Sequence, residues 1–301
     1  MSLNIRGLRA LVVSALFACL EIISGVAYAC PMTLQDYMHM RGPAADERIP
    51  YGKAPSQFVE FFRPSGRGPY PVVVVVHGGC WVHKFQGLRQ VAGMAKAFAE
   101  HGFAVYSIEY RGIDESGGGF PGTYEDISAA LAVVQDQAQT RHLNLDRLIG
   151  VGHSAGAHLM LWAAGRKNIP VSSVLFNARP LRISAVIGLG ALPNLSNRSG
   201  IHDVCGIDSA VLTGAPGRPE PLRDTSPAAM LPLDTSKIVL INGSLDTVSA
   251  PAVVAAFASQ ARQAGNAVRV VEIPAATHYD EISTTSPVWA QLLRIVQTLP
   301  G

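Results

Sequence analysis

The chain has 301 residues, of which 48% are hydrophobic and 15% charged, and its formal net charge is +2. These proportions suit a large globular α/β chain with a sizeable core, and they exclude a disordered or collagen-like one. With so small a net charge and no long basic run, the electrostatic footprint of a nucleic-acid-binding protein is missing.

At the N-terminus, Arg6 and Arg9 precede an apolar stretch from Ala10 to Leu20, and Ala27-Tyr28-Ala29 follows. A basic region, an apolar region and an A-x-A site in that order are the marks of a secretory signal. Residues 1–29 are therefore expected to be a signal peptide cleaved after Ala29, leaving 30–301 as a single domain exported to a periplasm or the medium. Two other readings stay open. An uncleaved anchor would have to tolerate Glu21 within its apolar stretch. A lipoprotein would use Ala29-Cys30, although Ala27 stands where a lipobox usually has Leu. In both, the membrane is met only through the N-terminus. Cleavage would remove Cys19 and leave Cys30, Cys80 and Cys205, widely spaced and without a C-x-x-C pair. The odd count argues against a disulfide framework; one bridge is possible, and spacing does not say which.

From about residue 57 the chain alternates β-rich runs with segments of helical spacing. Strands are expected at 58–62, 72–76, 104–108, 148–151, 185–189, 238–241 and 268–273. Helices are expected at 87–100, 124–139, 155–165, 251–264 and 287–299. Such alternation predicts a mostly parallel sheet flanked by helices on both faces, with ligands at the carboxyl ends of the strands. The second run, YPVVVVV, is apolar without alternation and predicts a central strand buried on both faces. HGGCW follows it, and Gly78 and Gly79 let the backbone turn sharply and bring amides close to a ligand. Two segments break the alternation. Residues 112–122 read as a flexible surface loop. Residues 191–237, rich in proline, read as a small cap-like insertion, with a disordered excursion as the other reading. The two together are expected to wall the substrate pocket.

Gly152-His153-Ser154-Ala155-Gly156 falls between a short apolar strand and an apolar helix. In that context G-x-S-x-G sets a serine on a tight turn at a helix N-terminus, where the flanking residues must be small and the dipole favours developing negative charge. A serine hydroxyl needs a base, and the base needs an acid to fix its tautomer. Asp246 lies just past the strand at 238–241, and His278 just past the strand at 268–273, so Ser154, Asp246 and His278 are the candidate triad. Among the competitors, Asp280 and Glu281 are expected at the start of the last helix, complementing its dipole. Asp234 precedes its strand, at the wrong end of the sheet. His153 is expected to point away from the Ser154 hydroxyl as part of the site wall, and His158 to be packed. The amides of Gly79, Cys80 and Ala155 are the candidate oxyanion donors. Cys80 could also be a reactive thiol, and its sulfur has no assigned role. The nine histidines are scattered, and the close pairs His77 with His83 and His153 with His158 lack zinc-site spacing, so neither a metal nor another cofactor is expected.

HGGCW together with GHSAGAHLMLWAAGR resembles the α/β-hydrolase superfamily, in the esterase branch that includes kynurenine formamidase-like enzymes, whose shared mark is HGG-x-W. The resemblance runs from about residue 46 to the end and takes in YGKAPSQFVEFFRP, Glu109-Tyr110-Arg111 and AGNAVRVVEIPAATHYD. It implies an α/β-hydrolase fold with Ser154 as nucleophile, Asp246 as acid, His278 as base, and an oxyanion hole around Gly79, Cys80 and Ala155. Cys80 and Ala157 depart from the pattern, but neither change removes a backbone donor. The expected function is a serine carboxylesterase cleaving small or medium acyl esters through an acyl-enzyme. An arylformamidase acting on an N-formylkynurenine-type amide is the alternative, against which an export signal counts. A non-catalytic binding protein of the same fold is the alternative of another class, against which the full set of catalytic residue types counts. The partner is in either enzyme a small-molecule ester or amide and not nucleic acid, and oligomeric state is not legible.

Overall fold

The computed structural model describes residues 30–299 apart from Gln86 and Asn197, so the expected signal peptide lies outside the described residues. Eight strands make one sheet in the order β1-β2-β4-β3-β5-β6-β7-β8. They are β1 (Glu47–Pro50), β2 (Phe58–Phe62), β3 (Tyr70–Val76), β4 (Ala104–Ile108), β5 (Leu143–His153), β6 (Ala185–Leu189), β7 (Lys237–Gly243) and β8 (Val268–Ile273). The pairs β1–β2 and β2–β4 are antiparallel, and every pairing from β4 through β3 to β8 is parallel. The seven expected strands are all present. The eighth, β1, is a four-residue edge strand ending in Pro50, which carries little periodic signal and can hold a proline only because it is an edge.

The valine run divides between two cores. Val72, Val74 and Val76 pack with Tyr124, Leu131, Leu159 and Phe257, which belong to α3 (Gly122–Asp136), α4 (Ala155–Gly165) and α7 (Pro251–Gln263). Val73 and Val75 pack with Val91, Met94, Phe98 and Leu292, which belong to α2 (Leu88–Glu100) and α8 (Pro287–Thr298). All five valines are completely buried, each contributing about 1.5–3 kcal/mol by removal from water. This is why the run needs no polar alternation: both pleat faces meet helices.

Three short helices escape the periodic signal. The first, α1 (Leu34–His39), begins at a capping box in which Asp36 N–H donates to Thr33 Oγ1 at 3.2 Å and Thr33 N–H to Asp36 Oδ2 at 2.8 Å. The others, α5 (Arg198–Cys205) and α6 (Ala210–Thr213), lie between β6 and β7. Residues 112–122 are not the loose loop their glycines imply: Gly112 N–H donates to Glu115, Gly119 N–H to Thr123 Oγ1, and Asp114 accepts from the His83 amide. Among the described residues no helix is long and apolar enough to cross a membrane. Because β3, β5, β7 and β8 run parallel, the loops after them collect at one edge of the sheet.

Candidate active site

Ser154 follows β5 directly and holds φ 54°, ψ −119°, a conformation that costs an L-residue about 1–3 kcal/mol. Its surroundings keep it there. Ser154 N–H donates to the Leu189 carbonyl at 2.8 Å, and its own carbonyl accepts from Ala157 and His158 at the first turn of α4. A Cβ on Gly156 would fall 2.1 Å from the Val76 carbonyl oxygen, so only glycine lets α4 approach β3 this closely. Ser154 is thereby presented at the N-terminus of α4, facing a cavity of about 100 Å³ that it shares with Gly79, Cys80, His153 and His278. A larger cleft of about 560 Å³, lined by Arg41, Arg48, His83 and Glu109, contains neither Ser154 nor His278.

The structure brings the other two triad candidates together. Asp246 is 3% exposed and His278 4%. His278 Nδ1–H donates to Asp246 Oδ2 at 2.8 Å, which leaves Nε2 with its lone pair, as a general base requires. Asp246 Oδ1 accepts from the amides of Val248 at 2.8 Å and Ser249 at 2.7 Å, and Oδ2 also from Asn242 Nδ2 at 3.3 Å. So many donors hold the carboxylate in one orientation.

The HGG loop after β3 approaches from the other side. Gly79 has φ 103° and Cys80 φ 52°. Among the described residues the amides of Gly79, Cys80 and Ala155 have no backbone acceptor, the condition for donors meant for an incoming anion. The loop is anchored by His77, whose Nδ1 meets the Gly78 carbonyl at 2.7 Å and whose Nε2 meets Glu109 Oε1 at 2.8 Å. Both ring nitrogens thus face acceptors. Burial opposes a charge on His77, but the Glu109 carboxylate outweighs it and raises the imidazole above its ordinary value. Tyr110 stacks on the ring at 4.5 Å, and Arg111 grips Asp126 through two bonds of 2.8 Å. Glu109 and Tyr110 therefore hold the HGG loop through His77, a role their sequence position did not disclose.

Three expectations need correction. Cys80 is not a free thiol: it forms a disulfide with Cys205, the last residue of α5. This is the one bridge that the cysteine count left room for, and Cys30 is the free cysteine among the described residues. Asp280 and Glu281 are not at the start of the last helix, because Ser286 caps α8 and Pro287 opens it. They sit in a 3₁₀ turn (Asp280–Ile282), where Asp280 accepts from Thr277 and the Met32 amide, and Glu281, 1% exposed, accepts from Gly243 N–H at 2.8 Å. A three-residue turn leaves no periodic signal in the sequence. Finally, among the described residues the cavity walls come from Leu34 and Tyr37 of α1, Phe85, Val204 of α5, Val248 and Tyr279. None comes from 112–122.

His153 and His158 behave as expected. His153 lines the cavity, its ring 4.5 Å from that of His278, and Nε2–H donates to the His278 carbonyl at 3.0 Å. Burial, reinforced by His278, pushes it well below its ordinary value. His158 donates through Nε2 to the Thr225 carbonyl and accepts the Trp81 indole N–H at Nδ1, and burial brings it down to about 4. Asp234 faces Lys167 and Arg182 away from the cavity. Donor atoms of His153, His278 and Glu281 lie within 4.8 Å of one another, and the Nδ1 of His278 and the Nε2 of His153 are already hydrogen bonded, to Asp246 and to the His278 carbonyl.

A family model described as BD-FAE matches residues 60–260. The chain belongs to the BD-FAE family. That match takes in the HGG loop, the Ser154 elbow and Asp246; His278 follows it. Over 250 residues this BD-FAE chain is 26% identical to Esterase LipC of Mycobacterium tuberculosis, covering 80% of this chain and 60% of LipC. It is 25% identical over 258 residues to the probable isoprenylcysteine alpha-carbonyl methylesterase ICMEL1 of Arabidopsis thaliana, covering 81% of this chain and 53% of that one. The chain thus spans between half and two thirds of these relatives' length. Esterase B from Lactobacillus Rhamnosis (HN001) superposes with a TM-score of 0.71 at 20% identity, covering 86% of this chain and 88% of that one. The shared architecture is the α/β-hydrolase fold.

Proposed function

We propose that this BD-FAE family member is a serine carboxylic-ester hydrolase acting on small-molecule esters of short or medium acyl chain. The observation that carries the reading is the convergence, on one cavity, of the strained Ser154 turn, the His278–Asp246 pair and the unpaired amides of Gly79, Cys80 and Ala155. Ser154 Oγ attacks the acyl carbon while His278 Nε2 takes its proton. The carbonyl oxygen becomes an anion received by the three amides. Collapse breaks the ester C–O bond, and the alcohol leaves with the proton from His278. Water, activated by the same imidazole, then attacks the acyl-enzyme, the acid leaves, and Ser154 regains its proton. The cavity's small volume and apolar walls favour short acyl groups, and residues 191–237 act as a cap, since Val204 of α5 contributes to those walls.

The enzyme is exported through residues 1–29. The Cys80–Cys205 bridge supports this reading, since structural disulfides persist in oxidising compartments. Hydrolysis of p-nitrophenyl esters of increasing acyl length, alongside N-formylkynurenine, tests the activity. The short esters should be preferred, and Ser154→Ala should lower kcat by about four to six powers of ten. A strong preference for the formamide, or an active Ser154→Ala, contradicts the assignment.

A further inference from the structure

Glu281 is buried beside the triad candidates, yet none of the steps above uses it. Its Oε1 is held by the Gly243 amide at 2.8 Å. Its Oε2 is buried and finds no hydrogen-bond donor among the described residues. Instead it lies beside the hydrogen-bonded Asp246–His278 pair. A Cβ placed on Gly190 would fall 2.5 Å from both Glu281 Oε2 and His278 Nδ1, so the carboxyl tip and the imidazole edge close around one point. Two carboxylates in contact in a dry pocket repel strongly, and a single proton between them converts the repulsion into a hydrogen bond. Of the two, Asp246 is the one already supplied with donors, from His278, Asn242 and two amides.

We propose that Glu281 is carried as the neutral acid, its Oε2–H donating to the Asp246 carboxylate, and that it serves as a positioning residue for the Asp246–His278 pair. The role rests on the proposed reading of that pair as catalytic. The facing groups agree with it. Burial first, then the Asp246 charge, push the Glu281 carboxyl well above the usual range, against the pull of the Gly243 amide. His153, nearby, is held neutral by burial and by His278. Asp280, on the same turn, gives its carboxylate to Thr277 and Met32. In effect a fourth group extends the relay, orienting the acid that orients the base.

Infrared difference spectroscopy of wild type minus Glu281→Gln at pH 7 reads the proton directly and needs no turnover. A protonated-carboxyl C=O band that shifts in D₂O is expected in wild type; a difference made only of carboxylate bands overturns the proposal. With p-nitrophenyl acetate, Glu281→Gln still offers an acceptor to Gly243 and a donor to Asp246. It should retain kcat within about threefold and leave the acid-limb pKa of kcat/KM in place, whereas Glu281→Leu should lose kcat at least about tenfold with little change in KM. An acid limb displaced downward by about one unit in Glu281→Gln would mean that a negative charge had been removed beside His278, and equal losses in the two variants would mean that donation is irrelevant; either overturns the proposal. If wild type carries the infrared band but hydrolyses no ester, the neutral Glu281 stands and the proposed activity falls.

Discussion

At the scale of single residues, the site depends on contacts that leave no spare volume. Gly190 has φ 51°, and any side chain there meets both His278 Nδ1 and Glu281 Oε2 at 2.5 Å. Gly190→Ala must therefore displace the imidazole or the carboxyl, since real atoms do not tolerate such a contact. A shift of a few tenths of an ångström is enough to misalign a proton transfer, so kcat should fall at least about tenfold with KM nearly unchanged. Ester kinetics alongside circular dichroism check this, and a folded Gly190→Ala with wild-type kcat contradicts the tight packing. What could be read from sequence at this scale followed one rule. Ser154, Asp246 and His278 each stand just past a parallel strand, so their chain positions alone disclosed that they would meet. Glu281 and Glu109 did not, since Glu281 depends on the pitch of a 3₁₀ turn and Glu109 on the pairing of β3 with β4. Neither has a periodic signature.

At the scale of elements, the Cys80–Cys205 bridge joins the HGG loop to α5 across 125 residues of sequence. Closing so long a loop restrains the unfolded chain, for a stabilisation of about 2–5 kcal/mol. It also fixes a local geometry. Cys80 contributes an amide to the proposed oxyanion hole while holding a positive φ, and Val204, the neighbour of Cys205, is part of the cavity wall. Cys205→Ser should therefore lower Tm, raise KM as the wall loosens and reduce kcat. Thermal denaturation and ester kinetics measure this, and a variant unchanged in both contradicts the role given to the bridge. Seven of the eight strands and the five long helices were legible because burial on two faces, or on one stripe, imposes runs and periods on the sequence. The segment carrying α5 and α6 was not, because its helices are short and one is held by a covalent bond between distant positions. One bridge was legible as a possibility in the cysteine count, but wide spacing gave no means of pairing Cys80 with Cys205.

At the scale of the whole molecule, one sheet with a core on each face places four loops at a single edge, and the β1–β2 pair closes the other side of the sheet without touching the chemistry. This division explains why a family model and distant esterase folds both fit a chain with low overall identity: the scaffold is general. The segment that follows residue 30 reaches the cavity through Leu34 and Tyr37 of α1. The central claim is that Ser154 is an activated nucleophile, and intact-mass analysis of the exported protein after exposure to a fluorophosphonate probe tests it most directly. The account predicts a chain beginning at Cys30 with one adduct, mapped to the peptide containing Ser154 and missing in Ser154→Ala. A mass that retains Met1 contradicts cleavage after Ala29, and an unlabelled wild type, or an adduct that survives Ser154→Ala, contradicts the nucleophile.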